Sequence, residues 1–137
     1  MSSSPRIVVI GAGAFGGWTA LTLQRQGAHV TLVDAWGPGH SRASSGGDTR
    51  IIRATYGPRR LYTAMAARAL RRWREEDARW HHGCLRPSGA IWMSGADDRF
   101  AMESAAALAD EDLRVEMLDP AEAGRRWPQI NFEGIRS

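Results

Sequence analysis

The start of the chain carries a pattern that few folds accommodate. Arg6 to Ile10, RIVVI, is a continuous apolar run rich in β-branched residues that stops at Gly11. Such runs read as buried parallel strands. Gly11-Ala12-Gly13-Ala14-Phe15-Gly16 follows as G-x-G-x-x-G. Gly13 to Gln26 then offers good helix formers, with an apolar face at Phe15, Thr19 and Leu23 and with Ala20 and Leu21 beside it. Gly27 stands where a helix C′ residue would. Ala28 to Asp34, AHVTLVD, alternates as a second strand and ends on an acid. Strand, helix and strand in so short a span make a βαβ unit with a right-handed crossover.

G-x-G-x-x-G alone is a weak signal, but here it has the context that dinucleotide binding requires. A strand precedes it, it opens a helix, and an acid closes the next strand roughly 20 residues on. Gly11 allows the tight turn, Gly13 lets the backbone approach a pyrophosphate, and Gly16 lets helix and strand pack closely. The helix N-terminus then faces the phosphates. Asp34 is the expected acceptor for the adenosine ribose hydroxyls. The competing reading is a glycine turn in an unrelated α/β protein with a coincidental acid. The fingerprint does not separate FAD from NAD, which share the ADP half.

Ala35 to Asp48 is a long loop rich in Gly, Pro and Ser, and long loops in compact domains are usually functional or disordered. Pro58 is expected to open a helix running to Trp80, with Leu61, Met65, Ala69, Trp73 and Trp80 near one face. Gly89 to Gly95, GAIWMSG, reads as a strand between glycines. Asp97 to Ala109 reads as an alanine-rich helix, and Leu113 to Leu118 as a half-buried strand. Asp119, Pro120 and Glu122 make a helix start of N-cap acid, N1 proline and N3 glutamate, and Trp127-Pro128 ends that helix. Trp73, Trp80, Trp92 and Trp127 are expected in the core.

Composition excludes several classes. The 137 residues include 43% apolar ones, enough for a core. All 18 basic residues are arginine, so Schiff-base lysine chemistry and the phosphate-loop lysine are excluded within this chain. The net charge of +3 permits nucleic-acid binding, but no nucleic-acid motif accompanies it. The arginines from Arg68 to Arg79 alternate with Glu75, Glu76 and Asp77, as on a solvated helix face. No nucleic-acid partner is expected. The single cysteine, Cys84, rules out an intrachain disulfide and suits a reducing compartment. No signal-peptide or membrane-spanning run is apparent, so a soluble cytoplasmic protein is expected. His81, His82 and Cys84 lack the second ligand pair zinc needs. They read as a helix-end turn capped by Gly83, and no metal is expected.

The stretch from Val8 through the fingerprint to Gly57, above all GDTRIIRATYG from Gly47, resembles the start of the sarcosine oxidase and N-methyl-tryptophan oxidase family. These are FAD-dependent amine oxidases of the D-amino-acid-oxidase-like group. The helix after Tyr56, GAIWMSG and RRWPQI from Arg125 also fall in the family's order, so the resemblance covers essentially the whole chain. It implies an α/β fold: a Rossmann-like FAD-binding unit over residues 1–83, then the first elements of a mixed α+β substrate domain over 84–137. It implies FAD as cofactor and a small amine or amino acid as substrate. The reaction it implies is oxidation of the C–N bond of a secondary or N-methylated amino acid, with molecular oxygen as the reoxidant in an oxidase. By the resemblance, Thr49 and Arg50 lie at the flavin ring and Arg53 pairs with the substrate carboxylate. A guanidinium suits that task because it can hold a carboxylate bidentately. Gly11, Ala12, Gly13, Ala14, Phe15, Gly16, Asp34, Ala35, Ser44, Thr49 and Arg50 are the expected cofactor contacts. Ile51 and Ile52 are expected to anchor the segment in the core. On the local pattern alone, Arg50 and Arg53 read equally well as surface ion-pair partners, with Asp48 one candidate.

The sequence also departs from the family. Sarcosine oxidase has histidines just before Gly-Asp-Thr-Arg, where this chain has Ser45 and Gly46. Cys84 does not match the family's flavin-linking cysteine. Family members continue well past INFEGIRS, so the expectation is an N-terminal portion with an incomplete fold. Two other readings stand beside the amine oxidase: an NAD-dependent Rossmann dehydrogenase, and a non-catalytic truncated nucleotide-binding protein.

Overall fold

The computed structural model describes residues 4–136, which fall into two compact units, one up to Ile51 and one from Ile52 onward. The first unit is the βαβ motif. Strand β1, Arg6–Ile10, pairs in parallel with β2, His29–Val33, in the register Arg6↔His29 to Ile10↔Val33. The ladder extends at both ends, where His29 N–H donates to Pro5 C=O and Gly11 N–H to Val33 C=O. Helix α1, Ala14–Arg25, is the crossover. It ends in the expected glycine cap: Gly27 takes φ +90°, its N–H donates to Gln24 C=O, and Ala28 N–H reaches Leu23 C=O. That six-to-one bond satisfies a carbonyl the helix would leave unpaired.

The α1 face is in part the one expected, with Ala20 buried and Leu21 and Leu23 half-buried. Phe15, by contrast, is 94% exposed and Thr19 is also exposed. At Gly16 the first turn of α1 comes against the Gly11 carbonyl just beyond β1, so the close approach is made by a residue without a side chain. Ile51 is likewise exposed and Ile52 only half-buried, so this pair does not anchor the loop in a core.

The second unit is helical. Helices α2 (Arg60–Trp80), α3 (Arg99–Asp110) and α4 (Pro120–Arg126) follow in order. Pro58 lies in the turn before α2 rather than inside it. Helix α2 buries Thr63, Ala67 and Glu76, while Leu61, Met65 and Ala69 of the expected face are exposed. Small residues also make up the buried face of α3, which is Ala101, Ser104 and Ala107. The buried Glu76 departs from the solvated face expected for this charged stretch, whereas the long apolar Leu61 and Met65 lie outside. Helix α4 starts as its sequence dictates: the Asp119 carboxylate accepts the Glu122 N–H at 2.7 Å, with Pro120 in the first turn.

Two expected strands do not form. Residues 89–95 and 113–118 have no ladder partner among the described residues. A strand exists only with a neighbour that takes its N–H and C=O groups. Ile91, Trp92, Met93, Val115 and Met117 are accordingly exposed. Trp80 and Trp92 are also exposed, and Trp73 and Trp127 half-buried, so none of the four is a fully buried core residue. The left-handed cap of α2 is His81 (φ 57°) rather than Gly83, although Gly83 also has positive φ.

Candidate functional site

The first unit gathers the glycine turn, the N-terminus of α1 and Asp34. Gly11 has φ +100°, a conformation that side-chain-bearing residues rarely adopt. A Cβ on Gly16 would stand 1.7 Å from the Gly11 carbonyl oxygen, so only glycine permits this helix-to-strand approach. Gly13 caps α1 without a side chain, and nothing lies within 4 Å of where its Cβ would be. Its backbone therefore faces open space at a helix N-terminus. There the first-turn N–H groups lack helical partners and the dipole favours an anion.

Asp34 closes β2 and turns back over this mouth. Its Oδ2 accepts the Ala12 N–H at 2.7 Å. Its Oδ1 accepts Trp36 N–H at 2.8 Å and Gly37 N–H at 2.9 Å. These donors, Ala12 first and Trp36 next, hold the carboxyl below the usual aspartate range, against the opposing effect of desolvation. Two features here were not read from the sequence. The Ser45 hydroxyl accepts Ala14 N–H at 3.3 Å, supplying from a distant loop the cap that Gly13 cannot. His40 Nε2 lies 3.5 Å from Asp34 Oδ1. The missing side-chain cap at Gly13 was the one available signal for Ser45; nothing in the sequence pattern pointed to His40.

The loop after β2 folds by successive turns. Ala43 N–H donates to His40 C=O and Gly46 N–H to Ala43 C=O. A Cβ on Gly46 would stand 2.1 Å from the His40 carbonyl oxygen. Gly47 makes room for Arg50, whose guanidinium curls back to donate to Thr49 C=O at 3.0 Å and Ser44 C=O at 3.3 Å. Arg50 is thus held by the backbone of the loop that carries Ser44 and Thr49. Ala35, Ser44 and Thr49 are exposed. Arg53 belongs to the second unit, with its guanidinium 5.5 Å over the Tyr56 ring. Among the described residues neither arginine is paired with Asp48.

Among the described residues no helix is long and apolar enough to cross a membrane. No group of three or more His, Cys, Asp and Glu among the described residues is placed to hold a metal ion. Cys84 is exposed, and its N–H donates to the Asp77 carboxylate at 2.6 Å.

A parallel βαβ unit with a glycine turn at the helix N-terminus and an acid at the end of β2 is a dinucleotide-binding architecture. The chain belongs to the DAO family of FAD dependent oxidoreductases, whose pattern matches residues 6–137. It is 35% identical over 131 residues to monomeric sarcosine oxidase of Bacillus sp. (strain B-0618), covering 95% of this chain and 34% of that protein. It is 34% identical to the monomeric sarcosine oxidase of Arthrobacter sp. (strain TE1826), covering 90% of this chain and 32% of that protein. Against N-methyl-L-tryptophan oxidase of Salmonella arizonae the identity is 33%, over 94% of this chain and 36% of the relative. The chain therefore spans about a third of the length of these relatives. The site fits the cofactor the family implies. The open backbone at Gly13 and the helix N-terminus suit a pyrophosphate, and the Asp34 carboxylate suits a ribose.

Proposed function

We propose that this chain supplies the FAD-binding part of an oxidoreductase that oxidises the C–N bond of secondary or N-methylated amino acids, with molecular oxygen as the final acceptor. One observation carries the cofactor half of this reading: the open Gly13 backbone at the α1 N-terminus, with Asp34 across the same mouth. The substrate half rests on kinship with enzymes named for sarcosine and N-methyl-L-tryptophan.

Gly13 and the first turn of α1 hold the pyrophosphate by backbone N–H donation, with no cation required. Asp34 stays ionised because three amide N–H groups favour its charged form, so it meets a ribose hydroxyl as an acceptor. FAD, when bound, supplies the redox chemistry by taking a hydride equivalent from the carbon of the C–N bond. Thr49 and Arg50 contact the flavin end. Arg50 is prepared for this because its loop carbonyls already fix the guanidinium. Arg53 holds the substrate carboxylate bidentately and sets the amino acid's orientation.

The test is the visible absorption spectrum of the purified chain after incubation with FAD and desalting, followed by anaerobic addition of sarcosine. Retained flavin bands are expected, and their loss in an Asp34→Ala variant would tie them to this site. Bleaching by sarcosine would support the substrate reading. A chain that retains a nicotinamide nucleotide and no flavin would replace this reading with a dehydrogenase.

A further inference from the structure

Beside Asp34 lies a cluster that the cofactor contacts above do not use. The Trp36 ring is 61% exposed although its backbone N–H is bonded to the Asp34 carboxylate. The Arg42 guanidinium lies 4.8 Å over the centroid of that ring, and the His40 ring lies 5.3 Å away at a tilt. His40 joins the cluster to the acid. Its Nδ1 accepts the Arg42 N–H at 3.1 Å, so the neutral ring carries its proton on Nε2, the nitrogen 3.5 Å from Asp34 Oδ1. Gly37 and Gly39, both at positive φ, turn the chain tightly enough to bring Trp36 and Arg42 together. Among the described residues Arg42 has no carboxylate partner. A large ring and a long cation are thus held in one stack on the surface, with His40 against the ring and, among the described residues, no carboxylate on the guanidinium.

We propose that Arg42 and Trp36, tied to Asp34 through His40, form the platform on which the adenine of the cofactor stacks. The inference rests on the FAD reading and extends it to residues that select the adenosine end. Asp34 Oδ1 is already engaged by two amides and faced by His40. Oδ2 accepts one N–H and keeps a lone pair for a ribose hydroxyl. A base joined to that ribose lies close to the acid, and the Arg42–Trp36 stack is carried on the residue whose N–H is bonded to Asp34 Oδ1. Guanidinium and indole both present flat faces to a base, and such stacking is largely independent of which base it is. His40 is a positioning residue here, because it orders both the acid and the backbone that carries Arg42.

The experiment is a titration of the chain with FAD, read by flavin fluorescence, with ADP, 2′,5′-ADP and inorganic pyrophosphate as competitors. Arg42→Gln and Trp36→Leu are each expected to weaken FAD and ADP by roughly tenfold while leaving pyrophosphate unchanged. Trp36→Phe, which keeps a flat ring, is expected to restore binding. Unchanged FAD and ADP affinity in both variants would overturn the platform. So would a parallel loss for pyrophosphate, which would mean that the loop had merely collapsed. A preference for 2′,5′-ADP that Arg42→Gln abolishes would put a phosphate on Arg42 in place of a base, and would also overturn it. Failure of the unsubstituted chain to bind FAD would overturn the cofactor reading and this inference with it.

Discussion

The Asp34 carboxylate accepts the Ala12 N–H at 2.7 Å and so joins the end of β2 to the turn that follows β1. The bond makes the acid part of the glycine turn's own structure as well as a candidate ligand group. Its effect on pH dependence follows. The folded state holds this carboxyl below its ordinary range, with the Ala12 N–H the largest cause. A group with a lowered folded value adds stability above its unfolded value, and that stability is lost as pH falls through the folded value. The contribution of Asp34 should be fully present near neutrality and should be lost on acidification through and below the ordinary aspartate range. In Asp34→Asn the acid-induced loss should be smaller, because the titrating group is gone. Thermal melts of both proteins at a series of acidic pH values measure the difference.

Gly16 and Gly17 are neighbours in α1 with opposite expected responses to a methyl group. At Gly16 the added Cβ would collide with the Gly11 carbonyl oxygen, which is backbone and cannot swing away. Gly16→Ala should destabilise by ~1–3 kcal/mol or more and reduce FAD retention, because α1 must move off β1. At Gly17 nothing lies within 4 Å. Gly17→Ala should be neutral or stabilise by up to about 1 kcal/mol through helix propensity. Urea unfolding followed by far-ultraviolet circular dichroism compares the two.

A second glycine pair separates fold from site. A Cβ at Gly46 would meet the His40 carbonyl oxygen, whereas one at Gly47 would meet only the tip of the Arg50 guanidinium at 2.5 Å. Gly46→Ala should open the turns between His40 and Gly46 and expose their amides to hydrogen exchange. Gly47→Ala should leave those amides protected and displace Arg50 from the Ser44 and Thr49 carbonyls. Amide exchange read by mass spectrometry over residues 40–50 distinguishes these outcomes.

Much of this was legible in the sequence, and the boundary has a physical basis. RIVVI, the glycine turn and AHVTLVD are local patterns whose neighbours in space are also neighbours in sequence, and the βαβ unit formed as read. Asp119, Pro120 and Glu122 specify a helix start by themselves, and the Asp119 carboxylate sits on the Glu122 N–H. GAIWMSG and Leu113 to Leu118 carry strand patterns, but a strand needs a partner and neither segment has one among the described residues. The face of α2 was misread because periodicity marks Leu61 and Met65 as apolar but does not show which side a neighbouring helix takes. Ser45 on Ala14 and His40 beside Asp34 depend on loop turns that no periodicity encodes.

In the second unit the Ser104 hydroxyl accepts the Gly57 N–H at 2.9 Å, tying α3 to the turn that leads into α2. Ser104 and Gly57 are both buried, so water cannot replace the bond. Ser104→Ala leaves the Gly57 N–H without an acceptor and should cost ~1–3 kcal/mol. Gly57 itself has φ +57°, and a Cβ there would stand 2.5 Å from the Phe100 ring, which stacks on Trp92 at 5.1 Å. Gly57→Ala should therefore act twice, by backbone strain and by pushing Phe100 off Trp92. Its tryptophan emission should shift in the folded state, whereas Ser104→Ala should lower the unfolding midpoint with native emission retained. If Ser104→Ala leaves the midpoint unchanged, the hydroxyl is not the link between these elements. If Gly57→Ala melts normally with unaltered emission, the close approach of Phe100 is not part of the folded structure.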